Sequence, residues 1–238
     1  MPRFALYYIP AADDPFYRRG SAFIGYDIRA GKRLPFAETG AAACGFRQSD
    51  LAWCWFYGFH MTITDAVHYD PADLPRITAE AEALIACRDP ARPLQVRRAA
   101  TEPVITVHNG GTTFVQSWQA QPAFIAFHTM LLVGLHPLGK GSLYTERLAA
   151  DPDLYREEGL QARVRKFFTP TGMDRYAPHI TLLNPCHDKD TDGIRQRLTD
   201  HMQPPAEITI DRVALVTEDQ EQTGFQLIKE WQLSRSKA

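Results

Sequence analysis

The sequence predicts an α+β fold with a duplicated, two-lobe architecture. The pattern Y-x-x-H-x-T-[IL] occurs twice, at residues 57–63 and 176–182. Each copy is followed by a helical pattern and then by strand patterns, so the order of elements also repeats. At 45% hydrophobic, the 238 residues are enough for a sizeable core in one domain. We therefore expect a single domain, 1–238, in which the two motifs occupy equivalent places.

The expected first lobe covers about residues 1–120. Pro71 and Pro75 favour the start of a helix, and apolar residues then recur at helical spacing to about residue 87. Strands are indicated by β-branched and aromatic runs, and Asn109-Gly110-Gly111 is typical of a hairpin turn. The predicted elements are a strand within 1–10, a short helix near 15–19, the first motif strand at 55–64, a helix at 71–87, and strands at 94–99, 104–108 and 112–118.

The expected second lobe covers about residues 121–238. The same kinds of pattern predict helices at 122–135, 154–168 and 192–202, the second motif strand at 178–183, and strands at 208–217 and 224–233. Residues 234–238 are read as a frayed tail. A pseudo-twofold arrangement of the lobes would bring both motif strands to one shared cleft.

Each motif strand is expected to offer an imidazole and a hydroxyl to that cleft. Successive side chains of a strand point to opposite faces, so His60 shares a face with Thr62, and His179 shares one with Thr181. One H-x-[ST] match is expected by chance at this composition, but two matches that share an upstream Tyr are not. An imidazole and a hydroxyl can bind an anion and move a proton at it. The alternative is two ordinary strands whose histidines are structural.

Bulk properties favour a cytoplasmic protein. The formal charge of −2 argues against strong nonspecific attachment to nucleic acid or anionic membranes. The four cysteines form no C-x-x-C pair, as expected for reduced thiols. The apolar stretches look too short for an export signal or a membrane span. We expect neither a membrane association nor a stable protein partner.

Paired H-x-[ST] motifs in a duplicated α+β chain resemble the 2H phosphoesterase superfamily, which includes 2′-5′ RNA ligase-like cyclic phosphodiesterases. The resemblance implies a two-lobe fold with a central cleft between two antiparallel sheets. The stretches 3–8, 15–18 and 57–60 resemble the branch often encoded beside phosphonate-degradation genes. That branch usually has an aromatic-rich approach to its second histidine, and Ala177-Pro178 stands there in this chain. The branch, and with it the substrate, stays open.

The resemblance implies a metal-independent phosphoesterase without a cofactor. Its substrate would be a cyclic phosphate or 2′-5′ phosphodiester of a nucleotide, short RNA or phosphoribosyl metabolite. His60 and His179 would act as acid and base in an order left open, and Thr62 and Thr181 would stabilise the charged phosphate oxygens. The rival is a noncatalytic nucleotide- or phosphate-binding protein. A metal-dependent hydrolase is disfavoured, because the motifs lack neighbouring carboxylate ligands.

Three tyrosines are weaker candidates for substrate contact. Tyr8 lies on the predicted first strand, where a role in the core is equally plausible. Tyr57 and Tyr176 are an odd number of residues before their histidines, which favours packing over catalysis. His128 lies in an apolar helical region and is interpreted as structural. The sequence 163–166 contains three cations on one helix, read as a solvated face or a contact for a terminal phosphate.

Overall fold

The computed structural model describes residues 1–98, 102–108 and 112–233, so the expected turn at 109–111 and the tail at 234–238 lie outside the described residues. The chain is a mixed α+β protein with several antiparallel sheets. Its helices are α1 (Pro15–Ile24), α2 (Gly40–Ala43), α3 (Leu74–Ala86), α4 (Pro122–Leu135), α5 (Leu143–Ala150), α6 (Glu158–Phe167) and α7 (Thr191–Met202). Its strands are β1 (Arg3–Tyr8), β2 (Tyr26–Asp27), β3 (Lys32–Arg33), β4 (Met61–His68), β5 (Gln95–Arg97), β6 (Val104–His108), β7 (Thr112–Ser117), β8 (Gln119–Ala120), β9 (His179–Cys186), β10 (Glu207–Thr209), β11 (Arg212–Glu218) and β12 (Gln226–Gln232).

Two antiparallel sheets carry the two motifs. The first has the strand order β12-β11-β1-β4 and the second has the order β6-β7-β9. The motif strands β4 and β9 are therefore edge strands, and they contact each other. Two short sheets, β10-β5-β8 and β2-β3, complete the described strands. The motifs thus lie where one sheet edge meets another.

The strand order differs from the expected division into residues 1–120 and 121–238. The first sheet combines β1 and β4 with the C-terminal β11 and β12, and the second combines β6 and β7 with β9. β1 lies between β4 and β11, pairs antiparallel with both, and has all six residues buried. Local patterns report element type but not the partner of a strand, so the sequence could not reveal this exchange.

The start of the first motif strand differs from the expectation. Trp55–Tyr57 form a 3₁₀ helix, and β4 begins only at Met61 and extends to His68. Gly58 has a φ of 69°, which is open to glycine at little cost, and a Cβ there would lie 2.9 Å from Cβ of Ile28. The glycine turns the chain sharply before the histidine, so the aromatic run cannot continue as a strand.

Several other elements also differ from the sequence-based assignment. The short elements α2, β2, β3 and β8 are not predicted by it, and α1 continues to Ile24 rather than ending near residue 19. Helix α5 was not expected, although Ser142 caps it by accepting hydrogen bonds from the Tyr144 and Thr145 amides. Helix α6 begins at Glu158 rather than near residue 154. The single strand expected at 208–217 is divided into β10 and β11. The remaining predicted helices and strands are present within a few residues of their expected ends.

Within residues 1–98, 102–108 and 112–233, no single helix is both long and apolar enough to cross a bilayer, although the bent pair Pro122–Leu138 and Leu143–Ala150 passes jointly on length and composition.

A buried ion pair joins the two ends of the chain beneath the first motif. Arg3 and Glu218 are cross-strand partners on β1 and β11, with side chains 1% and 0% exposed. Arg3 donates to Glu218 through Nε and Nη2, and through Nη1 to the Tyr57 hydroxyl at 3.3 Å. The other Glu218 oxygen accepts from the Gly224 amide at 3.2 Å. Every charge in this group therefore has several partners, as burial of ions requires.

We predict that Glu218→Gln lowers the free energy of unfolding by about 3–5 kcal/mol, because it leaves the Arg3 charge buried without a counterion. Glu207→Gln is the matched control, since the Arg97–Glu207 pair is 60% and 43% exposed. The control should cost no more than about 1 kcal/mol. Urea unfolding monitored by circular dichroism measures both. Equal losses in the two variants would contradict the role given to the buried pair.

Candidate active site

The two motif strands share an irregularity as well as a sequence. A short 3₁₀ helix precedes each of them, Trp55–Tyr57 before β4 and Met173–Arg175 before β9. Pairing with the neighbouring strand then skips one residue after each motif threonine, Ile63 in β4 and Leu182 in β9. β-Bulges at corresponding places redirect the side chains that follow. The repeat is therefore present in backbone geometry and not only in residue type.

Both motif imidazoles are anchored in the same way. Nδ1 of His60 lies 3.0 Å from the Gly58 carbonyl oxygen, and Nδ1 of His179 lies 2.8 Å from the Ala177 carbonyl oxygen. A carbonyl only accepts, so Nδ1 carries the hydrogen in each ring. In a neutral ring this leaves the lone pair on Nε2. Each strand thus presents one imidazole nitrogen of defined tautomer.

His60 is the buried member of the pair. Its ring stacks on Tyr7, with centroids 3.7 Å apart and planes at 23°, and the residue is 8% exposed. Nε2 lies 3.1 Å from the Thr62 hydroxyl, which donates to it when the ring is neutral. The pKa of His60 is lowered to about 4, mainly by burial and in smaller part by the charge of His179, while backbone hydrogen bonds to Gly58 and Tyr57 oppose the shift. His60 is therefore neutral at pH 7.

His179 is the exposed member. It is the first residue of β9, and Thr181 on the same strand is half-buried. The residue paired with Thr181 is Val115, whereas the residue paired with Thr62 is the stacking Tyr7. The second motif therefore has no ring at the place where Tyr7 covers His60. The strands β4 and β9 contact each other, and the charge of His179 is one of the causes that lower the pKa of His60.

The three tyrosine candidates have different positions. Tyr8 pairs with Met61 and is 6% exposed, so it lies on the face opposite the one that Tyr7 shares with Thr62. Its hydroxyl pKa is raised by burial. The sequence thus directed attention to Tyr8, while the structure brings Tyr7 to His60. The exact strand register decides between the two, and no local pattern gives it.

Tyr57 and Tyr176 make packing and hydrogen-bond contacts next to their motifs. The Tyr57 hydroxyl accepts from Arg3, and its ring stacks on Phe225 at 5.3 Å. The Tyr176 hydroxyl donates to the Thr62 carbonyl oxygen at 2.6 Å, which links the second motif directly to the first. Both are half-buried. These contacts match the packing interpretation that the odd spacing favoured.

Asp65 was not among the sequence-based site residues, although it belongs to the same local environment. Burial raises the pKa of the Asp65 carboxyl group. A hydrogen bond with the Thr169 hydroxyl and the charges of His128 and His179 lower that pKa and partly offset the effect of burial. Its negative charge is the main cause of the raised pKa of Tyr144 on α5. Asp65 and Asn184 each follow their motif threonine by three residues, so a longer alignment of the repeats would have drawn attention to this position.

The described residues were compared with the arrangements needed for a metal site and for a reactive thiol. Among residues 1–98, 102–108 and 112–233, no group of three or more His, Cys, Asp or Glu side chains is arranged to hold a metal ion. The four cysteines, Cys44, Cys54, Cys87 and Cys186, are free thiols. Burial raises the pKa of the Cys54 thiol to about 12, which keeps it protonated and unreactive.

Comparisons with protein-family models and with characterised proteins found no match to this chain. Any functional argument therefore depends on the site itself, whose defining feature is a pair of equivalently anchored imidazoles with unequal exposure.

We predict that His60 makes the protein less stable in acid. Its folded-state pKa of about 4 lies below the ordinary 6.5, so the stability it supports is complete above pH 6.5 and is lost as the pH falls toward 4. Between pH 7 and 4.5 the wild type should lose about 2 kcal/mol more than His60→Gln, which does not titrate. Urea unfolding at both pH values measures this, and His128 contributes equally to both proteins. Parallel pH curves for the two proteins would mean that His60 is not held neutral by burial.

Proposed function

We propose that this chain is a phosphoesterase in which His60 and His179 act on one phosphate group. Its substrate would be a cyclic phosphate or a 2′-5′ phosphodiester of a nucleotide, short RNA or phosphoribosyl metabolite, as the resemblance to 2H phosphoesterases implies. The observation that carries the proposal is the matched anchoring of the two rings, each with Nδ1 on the carbonyl two residues upstream. The corresponding bulges in β4 and β9 support the two-lobe 2H arrangement.

The unequal environments assign the two proton-transfer roles. His60 is neutral at pH 7 and its Nε2 carries a lone pair, so it is suited to accept a proton from the attacking water. His179 is exposed, where a protonated ring remains solvated, and is suited to donate a proton to the departing ribose oxygen. The oxygen of water forms a bond to phosphorus as one of its protons passes to His60. The P–O bond to the ribose oxygen breaks, and that oxygen receives a proton from His179, so atoms and protons balance.

The threonines would stabilise the developing negative charge. In the free protein the Thr62 hydroxyl donates to Nε2 of His60. When a phosphate binds, we propose that this hydroxyl turns to a nonbridging oxygen, which frees Nε2 for water. Thr181 would donate from the other strand. Hydroxyl donors aimed at these oxygens stabilise charge that develops in the transition state.

The scheme uses no metal or other cofactor. The site lies between two motif strands that supply imidazole and hydroxyl groups, so every proposed proton transfer has a protein partner. We also propose a cytoplasmic protein without a stable protein partner, which four free thiols support, since disulfides are rare in that compartment.

A phosphate-binding protein without turnover is the second candidate. The same anchored rings and the Thr62 and Thr181 hydroxyls would hold an anion. A neutral buried imidazole adds little to anion affinity but serves well as a base. The enzyme is therefore the better-supported function.

We predict that His60→Ala and His179→Ala each lower turnover of a 2′,3′-cyclic nucleotide by about 10²-fold or more. The double variant should lose far less than the product of the two effects, because the rings act as one unit. His187→Ala is the control, an exposed histidine immediately after β9, and should keep wild-type activity. Phosphorus NMR of the reaction mixture measures the conversion of the cyclic ester to a monoester.

The assay includes excess EDTA. Activity that disappears with the chelator and returns with one divalent ion would replace this mechanism with a metal-dependent one. Binding of nucleotide monophosphates by a wild type that turns over neither cyclic nor 2′-5′ substrates would favour the binding protein.

A further inference from the structure

His128 on helix α4 makes an unusual set of contacts for a core residue. It is 3% exposed on an otherwise largely apolar helix. Its Nδ1 lies 2.5 Å from the carbonyl oxygen of Ile63, and its Nε2 accepts from the Met173 amide at 3.0 Å. Its ring stacks on Tyr176, with centroids 3.9 Å apart and planes at 8°. Both ring nitrogens and one ring face are therefore engaged.

The first contact falls on the bulge of β4. Ile63 is the residue that the pairing with β1 skips, directly after Thr62. A bulge disrupts the ladder locally, and here the Leu6 amide donates to the Thr64 hydroxyl at 3.1 Å. A buried carbonyl without a ladder partner needs another donor. His128 provides it for Ile63 and so holds the backbone next to Thr62.

The second contact falls on the segment that leads to His179. Met173 has a φ of 64°, which residues with a side chain rarely adopt, and it begins the 3₁₀ helix Met173–Arg175. Tyr176 follows that helix, and the carbonyl of Ala177 anchors His179. A hydrogen bond to the Met173 amide therefore fixes the start of the segment that orients His179.

The third contact joins the two motifs. The Tyr176 ring lies against His128 while its hydroxyl donates to the Thr62 carbonyl oxygen at 2.6 Å. Only a neutral imidazole combines a donor, an acceptor on the opposite side of the ring and a flat stacking face. Burial lowers the pKa of His128 and keeps it in that neutral form.

We propose that His128 is a positioning residue that sets the separation between the Thr62 strand and the His179 strand. The expected effect of His128 on turnover rests on the proposed function, whereas its expected effect on the position of His179 does not. His128 itself touches neither substrate nor the reacting atoms. It acts through the Ile63 carbonyl, the Met173 amide and the Tyr176 ring.

His128→Phe keeps the stacking ring and removes both hydrogen bonds. We expect kcat for a 2′,3′-cyclic nucleotide to fall by about 10- to 100-fold with little change in KM, because a misplacement of about 1 Å is enough for such a loss. His136→Phe is the matched control near the end of the same helix, where His136 contacts Phe167 outside the motifs. The control should keep wild-type kcat. A folded His128→Phe with wild-type kcat would overturn the inference.

Nitrogen-15 NMR of the histidine rings provides a readout that does not need turnover. The ring signals of His179 should shift in His128→Phe and stay unchanged in His136→Phe. A role in stability alone would lower the melting temperature without moving those signals, and that result would overturn the inference. If the wild type turns over no phosphate ester, the proposed function fails, and this comparison still decides whether His128 positions His179.

His128→Asn covers the case in which His128→Phe does not fold. Its side-chain amide can still donate near the Ile63 carbonyl but cannot reach the Met173 amide. The His179 signals should again shift relative to wild type. Unchanged His179 signals in a folded His128→Asn would overturn the inference.

Discussion

The hydrogen bond from the Tyr176 hydroxyl to the Thr62 carbonyl joins two sheet edges on which the whole candidate site depends. β4 and β9 belong to different sheets; β9 begins with His179 and includes Thr181, whereas β4 includes Thr62 and directly follows His60. An edge strand has backbone groups that must be covered or paired, and here a tyrosine side chain meets one of them. The site therefore exists only while the two edges stay together, and its geometry is a property of their contact.

The two motif segments have the same backbone features, but their histidines have different neighbours. Matched bulges and matched Nδ1 anchors repeat one local structure in both motifs. Tyr7 then covers His60, whereas Val115 is opposite Thr181 and His179 stays exposed. Two copies of one local structure thus differ in burial because of a neighbouring strand. Acid–base catalysis needs such a difference, since one partner must be neutral when the other is charged.

Local sequence patterns predicted much of the architecture but little of the site's environment. The α+β class, most helices and the sharing of a face by His60 and Thr62 follow from periodicity and motif spacing. The pairing of β1 with β11 joins segments about 200 residues apart, which no window of the sequence contains. The choice of Tyr7 over Tyr8 depends on register against β4. The sequence favours a purely structural His128, because its partners Ile63 and Met173 are brought to it only by the tertiary fold.

We propose that His60 and His179 share one phosphate group, and a crystal structure of the protein soaked with a 2′-nucleotide monophosphate, a product analogue, tests this sharing. We expect a phosphate between the rings, with its protonated oxygen donating to Nε2 of His60, another oxygen about 3 Å from Nε2 of His179, and oxygens that accept from the Thr62 and Thr181 hydroxyls. A phosphate bound instead among the cations of α6, with neither histidine in contact, would contradict the proposed function.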